Sequence, residues 1–193
     1  MGQRIGLFGG TFDPPHLGHL AVALAARDAL ELDRTLLVVA NQPWQKVGQR
    51  PVTEAHHRLA MTELLVQDTE GLEASDLEIA RGGMSYTIDT VEQLQKAGHE
   101  VVVILGADAA AGIDSWERAA ELSRLTCLAV VDRPGYDLPE LANWSVEKIP
   151  AQSISVSSSQ VRSSMSEGAL ATDSIPSAVR RYIDLHHLEW PER

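Results

Sequence analysis

The sequence is short of cysteine and of basic side chains, and it has no long hydrophobic run. Cys127 is the only cysteine in 193 residues, so these residues form neither a disulfide with one another nor a cysteine-based zinc site. The net charge of −11, from 16 basic and 27 acidic side chains, disfavours a general nucleic-acid binder. No stretch reaches the length of a membrane span, and the N-terminus lacks the apolar core of a signal peptide. We therefore expect a cytoplasmic protein without nucleic-acid or membrane partners.

Two common nucleotide-binding fingerprints are also missing. The glycines of residues 6–10 do not form Gly-x-Gly-x-x-Gly, and Ala40-Asn41 stands where an NAD-binding strand would end in an acidic residue. The chain contains no GxxxxGK[ST] segment either. A bound dinucleotide cofactor and a P-loop NTPase are both disfavoured.

The hydrophobic pattern predicts alternating strands and helices. Strands are predicted at residues 4–8, 35–40, 74–79, 101–105, 128–131 and, as a short edge strand, 146–149. Helices are predicted at residues 17–30, 54–67, 87–97, 116–125, 159–165 and 175–187. This alternation predicts an α/β protein with a Rossmann-like, doubly wound parallel sheet. We expect a single domain, 1–193, with a helical C-terminal part at about 157–190.

Residues 9–19, GGTFDPPHLGH, form the most informative segment. An apolar strand leads into a glycine turn and then into a helix that His16 and His19 open. Histidines three residues apart share one helix face, and the first turn of a helix favours an anion. Glycines before that turn let the main chain approach a phosphate closely. The segment predicts a phosphate site that two imidazoles face.

A second segment with phosphate-binding character lies at residues 157–162, SSSQVR. Small hydroxyl residues at a helix start offer both side-chain hydroxyls and unpaired main-chain N–H groups. Arg162 follows within one turn and can bind a phosphate through two parallel hydrogen bonds. Read alone, this serine-rich stretch fits a linker equally well.

Together the two segments resemble the HxGH nucleotidyltransferase superfamily. Residues 9–19 match the GGTFDPPHxGH signature typical of nicotinate mononucleotide adenylyltransferases. Residues 156–162 resemble the ISSTxIR motif, with Val156, Ser159 and Val161 in place of Ile, Thr and Ile. The resemblance implies adenylyl transfer from ATP to nicotinate mononucleotide in NAD biosynthesis, giving nicotinate adenine dinucleotide (deamido-NAD) and pyrophosphate. It also implies Mg²⁺ bound through the substrate phosphates, without a protein ligand for the metal.

The resemblance implies site residues as well, with His16 and His19 as the catalytic pair. The residues implied to bind ATP are Gly9, Gly10, Thr11, Phe12, His16, His19, Gly106, Asp108, Arg133, Ser157, Ser158 and Arg162. Those implied to bind nicotinate mononucleotide are Asn41, Lys46, Tyr86, Thr87 and Trp116. Lys46 follows Trp44-Gln45, which departs from the family's commoner Pro-His. Residues 85–90 match the family's SYTxDT segment at a helix N-terminus, a position that suits a carboxylate. Trp116 fits a core tryptophan equally well.

Alternative functions stay open at this stage. Nicotinamide mononucleotide differs from the nicotinate compound only by an amide. Phosphopantetheine adenylyltransferases usually carry threonine at the position of His16. A non-catalytic nucleotide sensor would use the same scaffold, whereas length and charge disfavour a tRNA-handling protein. The histidine pairs at 56–57 and 186–187 are predicted to be solvated or packing residues. The sequence leaves open whether the chain forms a homo-oligomer.

Overall fold

The structure, a computed structural model, describes residues 2–44, 51–132, 141–150, 156–166 and 174–190. Its strands are β1 (Arg4–Gly10), β2 (Arg34–Val39), β3 (Leu72–Ser75), β4 (Glu100–Gly106), β5 (Cys127–Val131) and β6 (Val146–Ile149). Its helices are α1 (Leu17–Ala29), α2 (Ala55–Val66), α3 (Leu77–Arg81), α4 (Thr87–Lys96), α5 (Ala107–Ala110), α6 (Ala119–Leu125), α7 (Ser158–Ser166) and α8 (Ser177–Leu185). A 3₁₀ turn, Ile113–Ser115, lies between α5 and α6.

The six strands form one parallel sheet in the order β3-β2-β1-β4-β5-β6. The chain builds outward from β1 to β3 and then crosses back to continue from β4 on the other side. This order confirms the predicted doubly wound sheet, with β6 at one edge. The carboxyl ends of β1 and β4 flank the point where the strand order reverses, which is where such sheets bind ligands.

Alternate residues of the central strands pack into two separate hydrophobic layers. On β4, Val102 and Ile104 join the core that contains residues of α1, α2 and α8. Val101, Val103 and Leu105 face the opposite core, which residues of α4 and α6 complete. Because both faces are covered, these strands need apolar side chains at every position. Among the helices of the described ranges, none is long and apolar enough to cross a membrane.

Two predicted elements differ from the observed bounds by three residues or more at one end. The strand predicted at 74–79 ends at Ser75, and a short helix begins at Leu77, whose N–H donates to Ser75 Oγ at 3.4 Å. A short apolar run does not by itself distinguish a strand from a helix. The helix predicted from Trp116 begins only at Ala119, because Arg118 adopts a left-handed conformation with φ of 52°. Helix α5 was not predicted at all.

Candidate active site

The loop between β1 and α1, residues 11–16, is shaped by two close packing contacts. Phe12 adopts a left-handed conformation with φ of 49°, and the Asp13–Pro14 peptide bond is cis. The buried Phe12 ring lies against Gly10, where an added Cβ would stand only 2.6 Å from a ring carbon. The same ring packs edge-on against Phe8, with 5.7 Å between the ring centroids. A glycine is therefore required at position 10 for this loop, which we call the signature loop, to turn.

The two signature histidines stack on one another at the start of α1. Their ring centroids are 3.7 Å apart, and the ring planes differ by 27°. The His16 main-chain N–H donates to His19 Nδ1 at 3.2 Å. Since Nδ1 accepts this bond, a neutral His19 carries its proton on Nε2. The Phe12 ring packs edge-on against the His19 imidazole, with 4.9 Å between the ring centroids, and so restricts the orientation of the imidazole. His19 is thus oriented as a hydrogen-bond donor through Nε2.

Gly18, between the two histidines, lies at a close approach of α1 to the second motif. A Cβ at this position would lie 2.9 Å from His16 Nδ1 and 3.3 Å from the Val156 carbonyl oxygen. Both distances are shorter than ordinary van der Waals contacts of a Cβ. The glycine of the HxGH pattern is explained by this contact.

The serine–arginine segment of α7 is attached directly to the signature loop. Ser158 Oγ donates to the Pro14 carbonyl at 3.0 Å, and Arg162 Nη1 donates to the Asp13 carbonyl at 2.7 Å. Arg162 Nη2 donates to Ser159 Oγ at 3.0 Å. The two motifs, 149 residues apart at Asp13 and Arg162, therefore form one unit.

The start of α7 has the reciprocal pattern of a capping box. Ser157 Oγ accepts a hydrogen bond from the Gln160 main-chain N–H at 3.2 Å. Gln160 Oε1 in turn accepts from the Ser157 main-chain N–H at 2.8 Å. This pattern explains why the serine run begins a helix rather than continuing as a linker.

A cavity of about 510 Å³ lies at the carboxyl ends of the strands, between the signature loop, α5 and α7. The predicted site residues that line it are Gly9, Gly10, Thr11, His16, His19, Gly106, Asp108, Trp116, Ser157, Ser158 and Arg162. Trp116, predicted for the mononucleotide, thus shares this cavity with the residues predicted for ATP. Asp132, Ser159 and the α1 residues Ala21, Val22 and Ala25 also line it but were not predicted. The signal for Asp132 was available, because it follows β5 directly and so lies at the ligand-binding edge of the sheet.

A second group of predicted residues lies beside this cavity rather than in its lining. The Asn41 main-chain N–H donates to Ser85 Oγ at 2.8 Å, and Asn41 Nδ2 donates to the Gly83 carbonyl at 2.9 Å. Tyr86 is the N-cap of α4 and Thr87 is its first residue, so the predicted helix N-terminus is confirmed. The Ala40 N–H donates to the Gly10 carbonyl at 2.9 Å, which places this group next to the signature loop.

The structure describes only one of the three remaining predicted site residues. The Phe12 side chain is buried beneath the loop, so only its main chain is suited to contact a ligand. Lys46 and Arg133 lie outside the described residues.

Charge is divided between the two sides of the cavity. Arg162 is the only lysine or arginine among the described residues that line it, and it lies with the two histidines on the signature-loop side. Asp108 and Asp132 lie on the side formed by β4 and β5. Phosphates suit the first side, and the hydroxyl groups of a ribose suit the second. Within the described ranges no three histidine, cysteine or acidic side chains are grouped to hold a metal ion.

Comparison with known proteins identifies a family for this chain. The cytidylyltransferase-like family model matches residues 7–164. A Thermus thermophilus protein named probable nicotinate-nucleotide adenylyltransferase is 41% identical over 96% of this chain and 99% of its own length. A protein of the same name from Bordetella petrii is 39% identical over 96% of this chain and 98% of its own.

A solved structure of similar fold is Plasmodium falciparum nicotinic acid mononucleotide adenylyltransferase complexed with NaAD. Its TM-score is 0.82, and its identity is 21% over 96% of this chain and 97% of the other. The matching family model covers residues 7–164, and the relatives match this chain over nearly its whole length. The chain belongs to the cytidylyltransferase-like family, among its nicotinate-nucleotide adenylyltransferases.

Proposed function

We propose that the protein transfers the adenylyl group of ATP to nicotinate mononucleotide in NAD biosynthesis. The products are nicotinate adenine dinucleotide and pyrophosphate. The observation that carries this proposal is the union of the two motifs: stacked His16 and His19 line the same cavity as Arg162, which is hydrogen-bonded to the signature loop. The names of the full-length relatives support the same reaction. Because ATP is the donor, we also propose a cytoplasmic location.

The reaction requires one substitution at phosphorus and no covalent enzyme intermediate. An oxygen of the mononucleotide phosphate attacks the α-phosphorus of ATP and forms the new P–O bond. The bond from the α-phosphorus to the bridging oxygen breaks, and pyrophosphate leaves with that electron pair. The attacking oxygen is already an anion at neutral pH, so no general base is needed. Catalysis then consists of positioning the two substrates and stabilising charge.

The histidines and the α7 segment would bind the triphosphate. The His19 Nε2–H group would donate a hydrogen bond to the α-phosphate, where charge develops in the transition state. The α-phosphate would also be contacted by His16, by Thr11 and by the main-chain N–H groups of residues 10–12. The leaving pyrophosphate would be bound by Ser157, Ser158 and Arg162. On the opposite wall, Gly106 and Asp108 would contact the adenosine. Arg133, outside the described residues, is proposed for the same substrate.

The mononucleotide would be bound by the neighbouring group at the ends of β2 and α4. The unpaired N–H groups at the N-terminus of α4, near Tyr86 and Thr87, suit the nicotinate carboxylate. Asn41 and Lys46 would contact the remainder of the nucleotide. Trp116 is half-buried in the cavity wall and offers an aromatic face for stacking on the pyridine.

Mg²⁺ would be held through the substrate phosphates. A magnesium ion usually keeps several waters and binds phosphates with few protein ligands. The donors around the cavity suit this arrangement, because Arg162 is a cation with hydrogen-bond donors only and so binds phosphate and not a metal ion. When bound, the ion would neutralise charge on the phosphates.

Pyrophosphate release with ATP and Mg²⁺ tests the proposal, with nicotinate and nicotinamide mononucleotides compared as acceptors. We expect release with both and a strong preference for nicotinate. A preference for nicotinamide would preserve the chemistry and refute the carboxylate site at α4. Absence of release with either acceptor, in protein that binds ATP, would favour a nucleotide sensor or a different acceptor.

A further inference from the structure

Arg58, on the first turn of α2, is a buried cation outside the cavity lining. Its exposed fraction is 1%, and its guanidinium donates hydrogen bonds to three main-chain carbonyls. Nε donates to Thr53 at 2.7 Å, Nη1 to Thr11 at 2.9 Å and Nη2 to Asn41 at 3.1 Å. Burial of a charge is costly unless hydrogen bonds compensate it, and these three bonds contribute to that compensation.

The three carbonyls belong to segments that the proposed function assigns to different substrates. Thr11 lies in the signature loop, on the ATP side. Asn41 follows β2, on the mononucleotide side. Thr53 precedes α2, and Lys46 lies between Asn41 and Thr53 in the sequence. One planar group with donors in fixed directions therefore sets the spacing between these backbones.

The backbone of Arg58 is held in place, because α2 packs against the hydrophobic core. Met61 and Leu65 are buried one and two turns further along the helix. Thr62 Oγ1 donates to the Arg58 carbonyl at 2.7 Å and adds a contact within the helix. The Arg58 side chain therefore holds the backbones of Thr11 and Asn41 at fixed positions relative to α2.

We propose that Arg58 is a positioning residue that aligns the mononucleotide phosphate with the α-phosphorus of ATP. The inference rests on the proposed function and adds to it the element that sets the distance between the two substrate sites. A misplacement of about 1 Å between reacting groups costs roughly a hundredfold in rate. Loss of the Arg58 hydrogen bonds would allow a shift of this kind, because they join the loops directly.

The sheet itself does not depend on Arg58. Strands β1 and β2 pair in parallel from Ile5 to Gly10, and the Ala40 N–H continues that ladder to the Gly10 carbonyl. Substitution of Arg58 is therefore expected to leave the fold intact while the loops beyond the strand ends shift.

The test compares Arg58→Met and Arg58→Lys with Leu65→Ala as the matched control. Leu65 is a buried residue of the same helix, and its truncation destabilises the core without touching either loop. For each folded variant, kcat, both KM values and the Kd for ATP alone are measured well below its unfolding temperature. We expect kcat to fall about a hundredfold in Arg58→Met, with the Kd for ATP changed less than about threefold. Arg58→Lys keeps the charge but lacks the planar group, and we expect its kcat to fall about tenfold or more.

Several outcomes would overturn the inference. It fails if kcat falls no further in Arg58→Met than in Leu65→Ala, because the role is then structural only. It also fails if the Kd for ATP weakens as much as kcat falls. If Arg58→Met does not fold, Arg58→Lys decides alone, and a wild-type kcat in that variant overturns the proposal. A wild-type protein that releases no pyrophosphate refutes the proposed function first, and the two failures are thereby distinguished.

Discussion

Trp190 Nε1 donates a 2.8 Å hydrogen bond to the carboxylate of Asp13, which lies 177 residues earlier in the chain. Asp13 is 1% exposed, and its main-chain carbonyl accepts the bond from Arg162. The Leu17 N–H also donates to the Ser174 carbonyl at 2.9 Å. Ser174 and Trp190 therefore both contact the segment that joins β1 to α1.

A double-mutant cycle measures this link. Trp190→Phe keeps most of the ring volume and removes the donor, and Asp13→Asn removes the negative charge from the acceptor. We expect the two effects on the free energy of unfolding to be coupled by about 1.5–3 kcal/mol, the usual range for hydrogen bonds to charged groups. Urea denaturation of the wild type, both single variants and the double variant gives the coupling. Additive effects would show that the hydrogen bond does not stabilise the loop.

The His19 assignment is tested by comparing three substitutions. His19→Ala removes the donor at Nε2, and we expect kcat to fall about a hundredfold or more while the fold persists. His19→Gln places an amide N–H near the position of Nε2, whereas His19→Asn places its amide near that of Nδ1. We therefore expect kcat to be higher in the glutamine variant than in the asparagine variant. A folded alanine variant with near-normal kcat would refute the assigned role.

Arg162 is expected to act on the ATP side. Arg162→Ala should raise the KM for ATP about tenfold to a hundredfold, the equivalent of one hydrogen bond to a charged group. The KM for the mononucleotide should change less. Arg180→Ala is a suitable control, because Arg180 lies on α8 and pairs with Asp184 at 3.4 Å. The reverse pattern of KM changes would mean that the two substrate sides are exchanged.

Gly18 should not tolerate even a methyl group. In Gly18→Ala the new Cβ would press on the His16 ring and on the Val156 carbonyl. We expect a loss of about 1–3 kcal/mol in stability and a fall of roughly tenfold or more in kcat. Gly112→Ala is the control, because its φ is −104° and an added Cβ would stand 3.9 Å from the Ala109 carbonyl oxygen. Equal behaviour of the two variants would contradict the packing argument.

His57 gives the stability of the protein a predictable dependence on pH. Its Nδ1 lies 2.9 Å from the Tyr182 hydroxyl where α2 meets α8. Burial lowers the pKa of His57 below its ordinary value of 6.5, and the charges of His56 and His186 lower it further. Glu54 acts in the opposite direction on this pKa but does not outweigh those causes.

The direction of this pH dependence follows from proton uptake by the folded and unfolded states. As pH falls through 6.5, the unfolded chain binds a proton at His57 before the folded protein does, so the free energy of unfolding decreases. His57→Gln should therefore flatten the pH dependence of stability below pH 6.5, as measured by urea denaturation from pH 7.5 to pH 5. His99→Gln, on the far side of the molecule at Gln3, is the control. An unchanged pH dependence in His57→Gln would contradict the assignment.

The fold could be predicted from the sequence because its signals are local. Alternating strands and helices specify a parallel sheet covered by helices on both faces, and the observed strand order is that of a doubly wound sheet. The errors arose where local patterns are ambiguous. The apolar residues around Leu77 fit a strand as well as a helix, and nothing in the sequence marks the left-handed Arg118 that delays α6.

The sequence by itself determined the family and identified the two motifs, because phosphate binding needs glycines, histidines and hydroxyls at fixed short spacings. Only the tertiary structure showed what joins those motifs. The contacts of Arg58 with Thr11 and of Trp190 with Asp13 connect residues 47 and 177 positions apart. Such pairs produce no periodic pattern in the sequence, because their members lie in different segments of the chain. The strength of these contacts depends on burial. A buried charge that donates to main-chain carbonyls can hold a loop in place, whereas the same charge in water would not.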